Sequence, residues 1–177
     1  MRGLIFTQFI EMVENHYSTD MVDDIIEDAN LPSMGAYTAV SNYDHMELHH
    51  LGVALANRTG QSEQEILIEY GAYVFAPLYE HYQRLFQPKE NAIEFLLAVD
   101  SNIHKEMRKL YPEATLPDIQ CELKDGKLYM EYTSERHFAD LVKGLIIGCG
   151  HYFGQTLEIE TEILNKGHAR YIVQEKV

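Results

Sequence analysis

Residues 119–136 read IQCELKDGKLYMEYTSER, and here the chain stops looking helical. Upstream, apolar residues recur every three to four positions; in this stretch they alternate, which is the period of a half-buried strand. Residues 119–123 and 128–133 are two such strands. Asp125-Gly126 between them is a dipeptide suited to a tight hairpin turn. Tyr132, Ser134 and Arg136 follow at i, i+2 and i+4, and in an extended segment such positions line one face. They would offer two hydroxyls and one guanidinium along about 13 Å, from roughly 3.3 Å of rise per residue. A comb of this kind suits a ligand with two carboxylates. Arginine grips a carboxylate at two points, and hydroxyls fill the remaining lone pairs. The plainer alternative is an exposed strand end with ordinary polar residues.

Beyond this stretch, residues 138–155 read as a helix. Strands at 157–164 and 169–174 follow, turning at Asn165-Lys166-Gly167. Before it the chain is helical. Residues 3–16 carry Leu4, Ile5, Phe9, Ile10, Met12 and Val13 at helical spacing. Ser18 or Thr19 caps a second helix that runs to Ala29, and Leu31-Pro32-Ser33-Met34-Gly35 is a loop by composition. A helix over 46–57 ends near Gly60. Ser62 and Glu65 form a capping box. It opens a long helix with Ile66, Leu67, Tyr70, Val74, Phe75 and Leu78, which Pro77 is expected to kink or split. A further helix over 91–110 turns Ile93, Leu96, Leu97, Asp100, Ile103, His104 and Met107 inward and stops before Pro112. The expected class is α+β: a mostly helical N-terminal lobe, then a C-terminal lobe with a four-stranded antiparallel sheet and helices.

A chain of 177 residues is long enough for one domain with a real core. The net charge of −14 speaks against nonspecific nucleic-acid binding and against docking on anionic membrane. No apolar run reaches the length of a membrane span. Met1-Arg2-Gly3 leads into an amphipathic run with Glu11 and Glu14, unlike a signal peptide. The two cysteines, Cys121 and Cys149, make no C-x-x-C pair, and the default compartment is a reducing cytoplasm.

Among nine histidines, His45 and His49 stand at i, i+4, a spacing that can chelate a metal. No third ligand has a forced position beside them, so they and His50 are expected to be surface histidines. Cys149-Gly150-His151 is too short a cluster for zinc, and Cys149 reads as a small buried apolar residue. His104 lies on an inward helical stripe. It is either a core histidine with a satisfied hydrogen bond or a metal or haem ligand. No glycine-rich phosphate loop, G-x-S-x-G or nucleophile–base pair is visible.

The start Met1-Arg2-Gly3, His104, Leu110-Tyr111-Pro112, Leu116-Pro117, Tyr132-x-Ser134-x-Arg136 and Gly144-Leu145-Ile146 together resemble the haem nitric-oxide/oxygen binding (H-NOX) family. That family is related to the haem domain of soluble guanylate cyclase, and the likeness to a stand-alone bacterial-type sensor covers essentially the whole chain. It implies one haem-binding sensor domain over 1–177, with a helical lobe at about 1–60, a haem-binding lobe at about 61–177, and the haem between them. It implies ferrous haem b with His104 as the iron's ligand. Tyr132, Ser134 and Arg136 would hold the two propionates, and Pro117 would pack on the porphyrin and help distort it. Ile5, Phe9, Val74, Leu141 and Leu145, all apolar, would line the distal side. Two features depart from the pattern. Residues 166–170 lack the cysteine of the zinc site that many bacterial members carry. Leu141 stands where oxygen-binding members have a tyrosine.

The function implied is a cytoplasmic nitric-oxide sensor, not an enzyme, that binds NO and CO. NO would weaken the bond to His104, and a separate partner, typically a histidine kinase or a cyclic-di-GMP enzyme, would read the change. Nucleic acid and membrane are not expected partners. The alternatives are a haem-dependent enzyme of peroxidase type, which needs a distal acid–base residue, and a haem-free binding module for an acidic ligand.

Overall fold

Asp125 and Gly126 adopt left-handed backbone, with φ of 51° and 77°, as a two-residue hairpin turn requires. A computed structural model describes residues 1–85, 87–110, 112 and 115–176. The turn joins β1 (Asp118–Lys124) to β2 (Lys127–Thr133). The second hairpin joins β3 (Leu157–Asn165) to β4 (His168–Glu175). They form one antiparallel sheet in the order β1-β2-β4-β3. The two central strands alternate as the sequence does. Leu128, Met130 and Tyr132 of β2 pair with Val173, Tyr171 and Ala169 of β4, and all six are buried. A slip of one residue would turn this whole set to solvent, so the apolar pattern fixes the register.

The helices are α1 (Gly3–His16), α2 (Thr19–Ala29), α3 (Met46–Thr59), α4 (Glu63–Tyr82), α5 (Ala92–Ala98), α6 (Lys105–Leu110) and α7 (Ala139–Tyr152). The Ser62 hydroxyl accepts from the Glu65 N–H while Glu65 accepts from the Ser62 N–H, the expected box at the start of α4. Pro77 does not split the helix: α4 runs on through it. The proline removes one backbone hydrogen bond, and the packing of α4 along α7 holds the helix together across it. At that crossing the backbones nearly touch. A Cβ on Gly71 would lie 2.7 Å from the Gly144 Cα, and one on Gly144 would meet the Gly71 Cα at the same distance. Only glycine at both positions permits this approach.

The helix expected over 91–110 is the main departure. It is α5, then a π-helical segment Val99–His104, then α6. A π turn carries an extra residue, which rotates the faces of the helix beyond it. Ala92, Phe95, Leu96, Ala98 and Ile103 are the buried residues, while Ile93, Leu97 and Met107 are only partly covered. The expectation for the Asp100 side chain lies outside the described residues, as does Tyr111.

Two apolar clusters result. One gathers α1, α2, α3 and the first half of α4 with Phe138 and Leu141; the other gathers Phe75, α5, Ile103, the inner sheet face and part of α7. Leu145 packs against both. Each fully buried aliphatic or aromatic side chain contributes about 1.5–3 kcal/mol, so the shared helices α4 and α7 couple the clusters firmly. Among the described residues, no helix is long and apolar enough to cross a membrane.

Candidate functional site

The segment after β2 lies where the two clusters meet. Tyr132 belongs to one cluster and Phe138, six residues on, to the other. The extended comb expected here is bent: β2 ends at Thr133, Glu135 and Arg136 form a turn, and His137 has φ of 58°. The bend arises because local hydrogen bonds replace the ladder. The Arg136 N–H donates to Ser134 Oγ at 3.2 Å, and the Phe138 N–H donates to the Tyr132 hydroxyl at 3.3 Å. Tyr132, Ser134 and Arg136 therefore stay together, gathered around a turn and not strung along a strand. Burial raises the pKa of the Tyr132 phenol; Ser134, the Phe138 N–H and Arg136 oppose that rise.

Arg136 is half-buried, and burial pulls its guanidinium below the usual arginine range. Among the described residues no carboxylate is within ion-pairing distance of it. A desolvated cation without a counter-charge is costly, and two neighbouring hydroxyls complete a set of donors. This set fits the carboxylates of a ligand that supplies the missing negative charge, as the two propionates of a haem would.

His104 ends the π-helical segment, which packs against β1, and its Nδ1 is buried. Pro117, half-buried, immediately precedes β1. Among the described residues no three histidine, cysteine, aspartate or glutamate side chains gather as ligands for a bare metal ion. One imidazole is what an iron already held by four porphyrin nitrogens needs. Phe9, Val74 and Leu141 are buried in the first cluster, with Ile5 packed against it and Leu145 at the junction. These five residues lie on α1, α4 and α7.

Three participants escape sequence reading. Tyr70 is fully buried beside the apolar set: its hydroxyl donates to the Ile5 carbonyl and its ring meets Phe9 edge-on, centroids 5.0 Å apart. Only its place in an apolar stripe hinted at this. The pair Gly71 and Gly144 sets the spacing of the helices that carry Val74, Leu141 and Leu145. The third corrects the surface reading of the histidines. The His49 side chain is 18% exposed and bonds the Glu63 carboxylate and the Arg136 carbonyl. Cys149 is buried, as expected. Two surface grooves, of about 480 and 350 Å³, are lined by outer-face residues such as Glu158, Glu160, Glu131 and Arg170. Such open, charged grooves do not suit an apolar ring, and none of the expected site residues line them.

The profile of a family described as Haem-NO-binding matches residues 2–161. An H-NOX protein from K. algicida, in its Fe(II) unliganded state, is 31% identical, with a TM-score of 0.91 over 100% of this chain and 97% of that one. An H-NOX protein from S. oneidensis in the Fe(II)NO state is 22% identical, with a TM-score of 0.91 over 100% of both chains. An H-NOX domain from Shewanella oneidensis in the Fe(II)CO state is 22% identical, with a TM-score of 0.86 over 99% of each. No curated protein sequence matches the chain.

Proposed function

The chain belongs to the Haem-NO-binding family, a family of haem gas-sensor domains, and on that footing we propose that it is a nitric-oxide sensor built on haem b. The observation that carries the reading is the half-buried Arg136 guanidinium, set beside Tyr132 and Ser134 with no carboxylate of the described chain to pair with it. In this reading Tyr132, Ser134 and Arg136 hold the two propionates, His104 is the iron's protein ligand, and Pro117 packs on the porphyrin. Bound there, ferrous haem would supply the iron that takes NO or CO, and His104 would be the ligand whose bond NO weakens.

The chain's own residues do the rest. Ile5, Phe9, Val74, Leu141 and Leu145 exclude water from the distal side and offer no hydrogen-bond donor. The nearby Tyr70 proton is already committed to the Ile5 carbonyl. That absence favours NO, which binds ferrous iron without help from a donor, over O₂, which needs one. His104 ends a π-helical segment, and such segments are frequent at functional sites. Release of His104 would free one end of that segment. The helical lobe, about 1–60, then moves against the haem-binding lobe, about 61–177. A sensor needs two such states with different affinity for its ligand.

The protein has no catalytic activity of its own in this reading. It works in the cytoplasm, where its two cysteines, Cys121 and Cys149, stay reduced, and signals to a separate partner, a histidine kinase or a cyclic-di-GMP enzyme. His104→Gly tests the assignment. The variant should lose the wild-type ferrous spectrum and regain a five-coordinate one on addition of imidazole. A variant that keeps the wild-type spectrum without imidazole shows that another residue is the ligand.

A further inference from the structure

Resting on the reading of residues 132–136 as the turn that holds the carboxylates, we infer that His49 positions that turn from the helical lobe, and does so as an imidazolium. His49 lies on α3, far from the turn in sequence. Its Nε2 is 3.0 Å from the Arg136 carbonyl oxygen. A carbonyl only accepts, so Nε2 carries a proton. Its Nδ1 is 2.7 Å from Glu63 Oε1 at the start of α4, the length of a charge-assisted bond. An ionised carboxylate also only accepts, so Nδ1 carries a proton too. The His49–Glu63 pair thus holds one proton more than a neutral ring and a carboxylic anion would.

The same ring lies flat on Phe138, with centroids 4.2 Å apart and an interplanar angle of 9°. A cationic ring is attracted to an aromatic face. His49 therefore grips the turn twice, at the carbonyl of Arg136 and at the side chain of Phe138. Between these grips sits His137, a non-glycine residue with φ of 58°. Such a conformation persists when its surroundings hold it. The Phe138 N–H in turn donates to the Tyr132 hydroxyl, so the clasp reaches two of the three donors.

The charged neighbours come from every element around the ring. Glu63 belongs to α4 and Arg136 to the turn. His45 stands one turn back, at the start of α3, with Asp44 beside it and the Met1 ammonium facing it. Loss of the ring's extra proton would leave the Nδ1 lone pair facing a carboxylate across 2.7 Å. The ring must then release one of its two partners. Only a ring protonated at both nitrogens makes both bonds of the clasp.

Two measurements test this on the full chain. The first follows haem release to an apoprotein acceptor across the histidine range, about pH 5 to 8. Wild type should release haem about tenfold faster at the alkaline end, the effect of one lost hydrogen bond. His49→Ala should be fast and flat across the range. His49→Gln, whose amide can donate to the Arg136 carbonyl, should be slower than His49→Ala and equally flat. The second is carbon and nitrogen NMR of the haem-free protein. The Arg136 carbonyl shift should titrate in the same step as the His49 ring nitrogens in wild type, and should not titrate in His49→Gln. An alanine variant with the wild-type pH profile, or an Arg136 carbonyl indifferent to the His49 titration, overturns the inference. A wild-type chain that takes up no haem overturns the sensor reading instead, and the NMR titration still decides the clasp.

Discussion

Replacing Gly71 by alanine should destabilise the protein, while the same change at Gly52 should stabilise it. Both glycines lie inside helices, where alanine is intrinsically better by about 1 kcal/mol. Their surroundings differ. At Gly52 a new Cβ would meet Glu63 Cγ at 3.6 Å and Leu67 Cδ2 at 3.8 Å, which is ordinary contact between flexible side chains. At Gly71 it would press on the Leu141 carbonyl and lie 2.7 Å from the Gly144 Cα and 2.8 Å from the Leu145 N. These contacts are roughly 1 Å short of a comfortable carbon separation. They are backbone atoms of α7, so α4 and α7 must part. Overpacking of this kind costs about 1–3 kcal/mol, and the helix propensity offsets only part of it. Gly71→Ala should lower the melting temperature by about 2–8 °C, and Gly52→Ala should raise it by about 1–4 °C. Thermal unfolding by circular dichroism measures both. Equal shifts of the same sign would refute the claim that backbone contact at the α4–α7 crossing sets the helix spacing.

Arg136→Ala removes the one cation assigned to the propionates, and a charge-assisted bond is worth about 1.5–3 kcal/mol. Haem release should quicken roughly 10- to 150-fold, while Glu135→Ala, in the same turn but exposed, should change little; equal effects would refute the donor set. Leu141→Tyr places a hydroxyl in the apolar set. It should make oxygen binding detectable where wild type in air shows none, and a long-lived oxygen complex of the wild type would reveal a donor outside the apolar set named above. Glu131 is held below the usual carboxylate range by hydrogen bonds from Arg170 and then His168. Its folded value is depressed, so its stabilisation is present above the unfolded value, near about 4.3, and is lost as pH falls through the folded one. Glu131→Gln should flatten the acid limb of the stability curve, and an unchanged limb would show that the group of charges is idle.

The parts of the fold readable from sequence are those set by local chemistry. Asp125-Gly126 fixes a hairpin, Ser62 and Glu65 cap α4, and alternation in β2 and β4 fixes which side chains face inward. Ile5, Phe9, Val74 and Leu141 are legible as a set only through the family resemblance; the structure shows Phe9, Val74 and Leu141 buried in one large cluster with Ile5 packed against it. The rest depends on what meets across the chain. Residues 99–104 suit an α-helix as well as a π turn, and packing against β1 accompanies the π form. The strand period continues to Arg136, but Ser134 and Tyr132 accept backbone N–H groups and bend the segment. Gly71 and Gly144 read as weak helix formers until the two helices touch. His49 reads as a polar surface residue until Glu63, Arg136 and Phe138 surround it.

The central claim is that ferrous haem sits between His104 and the Tyr132, Ser134 and Arg136 donors and takes NO. The absorption spectrum of the haem-replete, reduced protein, with and without NO, tests it most directly. The expected result is a Soret band of five-coordinate ferrous haem that shifts on addition of NO and does not shift in air. A haem-replete preparation with no Soret band, or one whose band ignores NO, would contradict it.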